Sequence, residues 1–430
     1  MSLGGGTFTV QNKKIPGAYI NFASQKAASA VAGDRGIAAL ALELDWGKDS
    51  QIIAVTGEEF AKNSLALFGY EYSDPKLKGL RDLFKNIKKA NLYKLNGGEK
   101  ATNDIATALY SGTRGNDLKI IIQKNVDDNN KYEVITMLGT KEVDKQIVKT
   151  ASELVANEFV SFKATTLTVT AGTALAGGTN GTVSSTAHQD FLNKLESYSF
   201  NAVGCLSKDT SITGLYVQYA KRLRDKLGIK FQAVLYNTSA DYEGVINVKN
   251  AADESDIGMI YWVTGVIAGC EINKSNTNKT YDGEYTPKTE YTQAQLETAI
   301  DSGEFVLHQV GDQVRVLVDI NSLVNTTDEK GEEFKSNQTI RVLDQIATDV
   351  ASVFNSKYIG KIANNESGRT SLWNDIATLF KSYQQIQAIE NFKDTDIAVA
   401  IGNDKKSVTI DAAVQIVNAM EKLYMTVVVE

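Results

Sequence analysis

The sequence has very little histidine, cysteine or proline. Its 430 residues include two histidines (His188 and His308), two cysteines (Cys205 and Cys270) and three prolines. Histidine is the usual general base and a frequent metal ligand, so two of them leave little material for either kind of site. The cysteines lie far apart within apolar stretches, which favours buried free thiols over a disulfide. We therefore expect neither histidine-based chemistry nor a disulfide framework.

Long apolar runs and a secretory signal are also missing. No run approaches eighteen apolar residues, so no transmembrane helix is predicted. The first fourteen residues, MSLGGGTFTVQNKK, lack the basic region, apolar core and cleavage site of a secretory signal. The net charge of -7 gives no reason to expect nucleic acid as a partner. We expect neither a membrane nor a nucleic acid to be bound.

Three kinds of chemical site were weighed and none is supported by its pattern. The glycine-rich loop at residues 177–181 lacks the Gly-Lys-Ser/Thr ending and the preceding buried strand of a phosphate cradle. A Ser/His/Asp hydrolase would have to use His188 or His308, and no Gly-x-Ser-x-Gly elbow accompanies either. The acidic clusters lack calcium-loop spacing, and Cys/His pairs for zinc are absent. The sequence predicts no catalytic residue, no cofactor and no metal.

The length and the 43% apolar content predict two to four packed units. Residues 18–110 alternate between predicted strands (18–22, 36–42, 51–55, 91–95) and helices (57–67, 76–89), which is typical of an α/β layer. Residues 111–183 read as a small β-sandwich-like insert. Its predicted strands are 118–123, 131–138, 159–162 and 166–169, and one helix is predicted at 145–156.

The α/β pattern resumes over residues 184–338. A helix over 213–227 is predicted to stop at Gly228, and Thr292 with Gln295 predicts a capping box that opens another helix. Gly311-Asp312 predicts a hairpin with a type II′ turn. Residues 339–423 form a C-terminal α/β domain with two long helices. Three strands are predicted from there on, at 396–401, 407–417 and 422–429.

Both ends of the chain carry strand-like apolar segments. Phe8 and Val10 alternate with threonines before the break at Pro16-Gly17, so residues 1–17 are predicted to form an extended arm. At the other end, Met425, Val427 and Val429 alternate within residues 424–430. An apolar strand without a neighbour is an open edge, which proteins normally cover or use. The two arms are therefore the predicted interaction sites.

Eight stretches distributed along the chain carry a family resemblance. They are PGAYI (16–20), RGIA (35–38), GTRGNDL (112–118), LAGGTNG (175–181), RLRDKLG (222–228), ADYEGVINV (240–248), AIDSG (299–303) and DINSL (319–323). In this order and over nearly the whole chain, they resemble the tail sheath family of contractile phages and phage-tail-like bacteriocins. The resemblance is greatest to the compact sheaths of Gram-positive phages and defective prophages.

The resemblance implies a structural protein and not an enzyme. It implies an α/β core, comparable to a subtilisin-like fold without the triad, and a C-terminal domain that lies against an inner tube. The subunit would polymerise as a helical tube of stacked hexameric rings and contract to drive the inner tube through a cell envelope. The implied partners are further copies of itself, the inner tail tube protein, and the baseplate and tail terminator proteins. Assembly would occur in the cytoplasm of a bacterial host, and the product would be a virion tail or a released tail-like particle.

In such sheaths the terminal arms cross to neighbouring subunits and add strands to their sheets. The resemblance therefore implies that Phe8, Val10, Met425, Val427 and Val429 make inter-subunit contacts, with main-chain hydrogen bonds supplying affinity. A head-to-tail contact that does not close generates a helical tube. Two alternatives stay open at this point: a hydrolase with a degenerate subtilisin-like core, and another self-assembling shell or tube protein.

Overall fold

The structure, a computed structural model, describes residues 35–163 and 166–429. The predicted N-terminal arm with Phe8 and Val10, and the predicted strand at residues 18–22, lie outside the described residues. The described chain forms a mixed α/β, multidomain fold with a β-sandwich insert, which confirms the predicted fold class.

The chain enters the core as two strands, two helices and a third strand. These are β1 (Ile37–Leu42), β2 (Ile52–Thr56), α1 (Gly57–Phe68), α2 (Lys78–Phe84) and β3 (Lys89–Lys94). Thr56 and Glu59 form a reciprocal capping box that starts α1, because each side chain bonds the other's backbone N–H. The predicted helix at 76–89 ends earlier, at Phe84, since residues from Lys89 onward pair with β1.

The insert contains β4 (Ala106–Ala108), β5 (Leu118–Lys124), β6 (Tyr132–Leu138), β7 (Lys141–Val148), β8 (Val160–Phe162) and β9 (Thr170–Ala174). One sheet has the order β7-β6-β5-β9 and the other pairs β4 with β8. Between them lies a separate apolar core that includes Leu118, Ile120, Val134 and Val160. Because β4 pairs with β8, the insert in the structure begins before the predicted boundary at residue 111.

Two predicted elements of the insert are wrong. The first four residues of the helix predicted at residues 145–156 instead complete β7, whose backbone pairs with β6. A single 3-10 turn at Ala151–Glu153 follows it. The strand predicted at residues 166–169 is displaced along the chain to β9, where pairing with β5 satisfies its backbone. In both cases the sheet neighbour, and not the local pattern, determines the element.

The second half of the core contains α3 (Ala187–Leu195), β10 (Ala202–Gly204), α4 (Thr210–Lys221), β11 (Gln232–Tyr236), β12 (Val245–Val248), α5 (Met259–Gly269), α6 (Gln293–Asp301) and β13 (Glu304–Phe305). A π-helical stretch, Arg222–Leu227, extends α4 to Gly228, whose φ of 71° ends it as predicted. The capping box of Thr292 and Gln295 that opens α6 is also confirmed.

One seven-stranded sheet joins both halves of the core. Its order is β13-β12-β11-β10-β1-β3-β2, and every neighbouring pair is parallel except β2 with β3. Alternate residues of β1 face opposite layers: Leu40 packs with α1, α2 and α5, while Ala39 and Ala41 pack with α3 and α4. Both faces are covered, which is why β1 reads as a continuous apolar run.

A hairpin leads from the core toward the C-terminal domain. It consists of β14 (Leu307–Val310) and β15 (Gln313–Val316). Gly311 has a φ of 59°, which a type II′ turn requires at its first central residue. The predicted hairpin is confirmed, although β15 ends at Val316 and not at residue 320.

The C-terminal domain packs two long helices against two small antiparallel sheets. Its elements are α7 (Asn337–Val353), α8 (Glu366–Gln385), β16 (Ile389–Glu390), β17 (Ile397–Ile401), β18 (Val408–Ala412) and β19 (Gln415–Ile416). β17 pairs with β18, and β16 with β19. The strand predicted at 407–417 is therefore split in two. The strand predicted at 422–429 is not formed, since residues 417–429 contain neither helix nor strand.

Candidate assembly site

The last ten described residues expose an unusual run of apolar side chains. We call residues 420–429 the C-terminal segment. Among the arm residues predicted from the sequence, Met425 is 75% exposed, Val427 70% and Val429 90%. Their apolar neighbours in the segment are exposed as well: Met420, Leu423, Tyr424 and Val428. Exposed apolar side chains scattered singly are ordinary, but a contiguous group of this size marks an interaction surface.

The backbone of the C-terminal segment is also unpaired. Among the described residues, no backbone N–H or C=O of residues 420–429 bonds to another part of the chain. A side-chain bond does join the segment to the body: Thr277 donates its hydroxyl to Glu421 Oε1 at 2.7 Å. Free backbone groups beside exposed apolar side chains are what an added β-strand needs.

The segment leaves the body at a root that is well held. We call residues 417–419 the root. Val417 N–H donates to Ala388 O at 3.1 Å. The side-chain amide of Gln338 donates to Val417 O at 3.1 Å and accepts from Ala419 N–H at 3.0 Å. Thr339 Oγ1 donates to Asn418 Oδ1 at 3.3 Å. Both side chains come from the first turn of α7.

The same helix start is joined to the core by buried polar groups, which we call the α7 joint: Asn337, Arg341 and Asp344 of α7 with Gln232, Arg224 and Asp319 of the core. Arg341 Nη2 lies 2.7 Å from Asp319 Oδ2. Asn337 Nδ2 donates to Asp319 Oδ1 at 2.9 Å, and Gln232 donates to Asn337 Oδ1 at 2.8 Å. Arg224 binds both carboxylate oxygens of Asp344, at 2.6 and 2.8 Å.

Charge pairing in the α7 joint outweighs the cost of burial. Burial lowers the pKa of Arg341, and the adjacent Asp319 carboxylate raises it. The net result is a pKa above its ordinary value. Burial also lowers the pKa of Arg224, and the Asp344 carboxylate raises it. The pKa of Arg224 again lies above its ordinary value. Both guanidinium groups are therefore held as cations inside the protein, each beside a carboxylate that belongs to another element.

Arg35, the first described residue, fastens the start of the described chain to α5. Its Nε donates to Cys270 O at 2.9 Å and its Nη2 to Ile267 O at 3.0 Å, so it caps carbonyls at the end of that helix. Burial, and then the nearby Arg341 cation, lower the pKa of Arg35 to about 10. The described chain therefore begins close to the α7 joint.

Each of the two histidines lies next to a side chain or strand of another part of the fold. His188 lies buried at the start of α3, with its Nδ1 3.0 Å from the Tyr216 hydroxyl, and burial lowers its pKa. His308 lies in β14 opposite Arg315, and burial lowers its pKa as well. No group of three or more His, Cys, Asp or Glu side chains in residues 35–163 and 166–429 is arranged to hold a metal ion. In the same ranges, no helix has the length and apolar character to cross a membrane.

The glycine-rich loop at residues 177–181 is a packed joint between insert and core. Asn116 accepts from Gly178 N–H and donates to Gly178 O, both at 2.8 Å. A Cβ on Gly178 would lie 2.6 Å from Gly112 O. Gly181 N–H donates to Gly97 O at 2.7 Å. The N–H groups of Gly178, Thr179 and Gly181 are thus already bonded within the protein.

The α7 joint and the root contacts were missed by sequence reasoning. The helical pattern of α7 was read from its apolar residues, and these begin to dominate only after Val342. A usable signal was present, because Asn337, Arg341 and Asp344 recur at helical spacing in the first half of the helix. Polar residues at this spacing are normally solvent-exposed, and only their partners in the core reveal that these are buried.

Models of four phage tail sheath domains match consecutive parts of the chain. The Tail sheath protein Gp18 domain III N-terminal region matches residues 35–95, and the Phage tail sheath protein beta-sandwich domain matches residues 96–180. The Phage tail sheath protein central domain matches residues 181–322, and the Phage tail sheath C-terminal domain matches residues 329–430. Together they cover almost all of the chain from residue 35 onward.

Several proteins are similar to this chain over nearly their whole length. The phage-like element PBSX protein XkdK of Bacillus subtilis strain 168 is 33% identical, with 99% of each chain covered. The crystal structure of the sheath tail protein from Desulfitobacterium hafniense is 37% identical with a TM-score of 0.83, covering 95% of this chain and 99% of that one. The sheath tail protein Lin1278 from Listeria innocua is 32% identical with a TM-score of 0.79, covering 93% and 96%.

The fold is also shared with a more distant sheath. The helical sheath of the anti-feeding prophage in its contracted state has a TM-score of 0.58, with 97% of this chain and 99% of that one covered. The two sequences are only 11% identical, so this likeness concerns the fold alone.

Proposed function

This chain belongs to the phage tail sheath protein family, and from that premise we propose that its C-terminal segment pairs with the sheet of a neighbouring copy to link subunits into a tube. The observation that carries the proposal is the combination in residues 420–429 of exposed apolar side chains and unpaired backbone. Within residues 35–163 and 166–429, these backbone groups have no partner in the same chain.

Strand addition fits the length and pattern of the segment. The eight residues 422–429, if extended, reach about 26 Å from the body at roughly 3.3 Å per residue. Alternate side chains then point to the same side, which places Met425, Val427 and Val429 together on one face. Main-chain bonds supply the affinity and the alternate side chains set the register. Phe8 and Val10 are proposed to do the same from the other end of the chain.

The proposed assembly is a contractile sheath. Because each segment contacts a different surface on the next copy, the contact is heterologous and builds a helix of stacked hexameric rings. Arms that stay paired would let subunits rotate and slide during contraction without the tube coming apart. The inner tail tube, baseplate and tail terminator proteins are the proposed partners. Assembly in the bacterial host before incorporation into a tail or tail-like particle belongs to the same proposal.

No chemistry is proposed for the subunit. A sheath that stores its energy in a metastable lattice needs no nucleotide to contract. The hydrolase alternative finds no support: in the part of the chain that the structure describes, the ring of His188 bonds the Tyr216 hydroxyl, and His308 lies in β14 opposite Arg315. The alternative of an unrelated shell protein is set aside by the family.

Truncation tests the proposal directly. We expect removal of residues 424–430, or separately of residues 1–14, to abolish ordered tubes when the chain is co-expressed with its inner tube protein. Negative-stain microscopy counts the tubes, and circular dichroism with thermal unfolding checks that the subunit is still folded. The midpoint of unfolding should be unchanged for the 424–430 truncation, because residues 424–429 make no backbone bond to the rest of the described chain. Normal tubes from either truncated chain would overturn the role of that arm.

A further inference from the structure

A single side-chain amide holds the root of the C-terminal segment. The Nε2 of Gln338 donates to Val417 O at 3.1 Å, and its Oε1 accepts from Ala419 N–H at 3.0 Å. Gln338 thus bonds a C=O and an N–H two residues apart, which is the pair that a neighbouring β-strand would bond. The carboxamide takes the place of one residue of a partner strand.

Gln338 is itself rigidly placed. Its side chain is buried, with only 3% of the residue exposed. Its chain neighbour Asn337 is fixed by bonds to Asp319, to Ile320 O and from Gln232. One turn further on, Arg341 pairs with Asp319. The amide therefore projects from a helix start that is bonded to the core, and the position of the root follows the position of the core.

Beyond the root, little fixes the path of the chain. Ser336 caps the start of α7, and Thr339 of the same turn bonds Asn418 in the root. Among the described residues, the contact furthest along the segment is the one from Thr277 to the side chain of Glu421. A segment of eight free residues is about 26 Å long when extended. A change of about 20° in its direction at the root would move its tip by roughly 9 Å, nearly twice the spacing between neighbouring strands. The direction at the root thus decides which strand edge the tip can reach.

We propose that Gln338 is a positioning residue for sheath assembly: its amide sets the direction in which the C-terminal segment leaves the subunit, and so selects the neighbouring strand edge and the register of pairing. This inference rests on the proposed strand exchange. It adds that the core, through α7, controls the geometry of the link between subunits.

Hydrogen exchange of the unassembled full chain tests the contact itself. Gln338→Met keeps the length and packing of the side chain but removes both bonds, and Gln338→Asn keeps an amide that is too short by one methylene to make both. In either variant the Ala419 amide should lose protection by at least about tenfold. The Val417 amide, which bonds Ala388 O, should stay protected. Unchanged protection of Ala419 in a folded variant would overturn the contact.

Tube formation tests the positioning role. We expect both Gln338 variants to give at least about fivefold fewer ordered tubes than the unchanged protein, with the unfolding midpoint shifted by only a few degrees. The matched control is Gln345→Met, on the same helix, whose amide bonds Asp349 and does not touch the root. It should assemble normally. A Gln338 variant that loses Ala419 protection and still forms normal tubes would overturn the positioning role.

The truncation of residues 424–430 separates this inference from the proposed function. If the truncated chain forms normal tubes, strand exchange by the segment fails, and the positioning role fails with it. If the truncated chain forms none while the Gln338 variants assemble normally, only the positioning role is lost. A loss of tubes in both, with Gln345→Met unaffected, supports both.

Discussion

The start of α7 buries polar side chains, whereas the C-terminal segment exposes apolar ones. Within the α7 joint, Asn337 is 0% and Arg341 1% exposed although both are polar. In the segment, Val427 and Val429 are mostly exposed although both are apolar. Buried charges are costly unless paired, and the joint pairs each of its two guanidinium groups with a carboxylate inside the chain. The exposed apolar groups have no partner in the described chain, so their partner is sought in another subunit.

This difference separates residues that stabilise the folded subunit from residues that are proposed to link subunits. Substitutions in the α7 joint should change the free energy of unfolding of the subunit, because its bonds form when the chain folds. Substitutions in the C-terminal segment should change tube formation and leave the free energy of unfolding nearly unchanged. The predictions below test that separation in order of the expected effect on subunit stability.

Removing Asp319 should have the largest effect. Asp319→Ala leaves the buried Arg341 cation without its carboxylate. Arg341 Nη2 keeps its bond to Lys274 O, but among the described residues Nε and Nη1 have no acceptor. We expect a loss of about 3–5 kcal/mol in the free energy of unfolding, measured by urea denaturation. The double variant Asp319→Ala, Arg341→Met should lose less than the sum of the two single changes. Strict additivity would mean that the two groups do not interact.

Removing Asp344 should have a somewhat smaller effect. Asp344→Ala deprives Arg224 of both of its carboxylate bonds, but Arg224 keeps its bond to Phe231 O. Because Asp344 is slightly more accessible to solvent than Asp319, we expect a loss of about 2–4 kcal/mol by the same denaturation measurement. Asp394→Ala, which removes an exposed carboxylate paired with Lys381 of α8, is the matched control and should lose less than about 1 kcal/mol of pairing energy. If Asp344→Ala and the control variant lost the same free energy of unfolding, that result would contradict a special role for the α7 joint.

A charge in the C-terminal segment should abolish tubes at little cost to the subunit. Val427→Asp places a carboxylate where an apolar contact is expected, while the free energy of unfolding should stay within about 0.5 kcal/mol. The matched control is Val126→Asp, since Val126 is 88% exposed in a turn of the insert. That variant should form tubes normally. Tube counts from negative-stain images compare the two, and equal yields would remove the distinction between segment and ordinary surface.

The smallest effect is expected at the histidines. Burial lowers the pKa of His188 below its ordinary value of 6.5, so the unfolded chain takes up a proton more readily than the folded one. Its contribution to stability is therefore fully present above about pH 6.5 and is lost as the pH falls through the lowered folded value. His188→Gln should reduce this loss, as measured by denaturation at several pH values. Neither it nor His308→Ala should change the yield of tubes, and an unchanged pH dependence would show that His188 does not titrate as described.

The comparison also explains which elements could be predicted from the sequence. The strand β1 lies between two parallel neighbours and reads as a short apolar run, and the ends of α1, α4 and α6 carry capping signals. β7 was mistaken for a helix because its pattern is weak and its pairing with β6 is what makes it a strand. The strand predicted at residues 422–429 has the right local pattern, but a strand needs a partner, and residues 35–163 and 166–429 do not supply one.

The candidate site likewise contains some residues that could be predicted from the sequence and others that could not. The exposed arm residues Met425, Val427 and Val429 were predicted because apolar alternation is visible in the sequence. Gln338 and the α7 joint were not, because their function depends on atoms brought together from residues far apart in the chain, such as Asp319 and Val417. Periodicity reports which face is apolar, and not which polar groups find partners.

The most direct test of the central claim is hydrogen exchange of residues 422–429 before and after assembly. In the unassembled subunit these amides have no acceptor among the described residues and should exchange at the rate of an unstructured peptide. In assembled tubes we predict strong protection at alternate residues, the pattern of a strand added to the edge of a neighbour's sheet. Rapid exchange of the whole segment in intact tubes would contradict the proposal that it links the subunits.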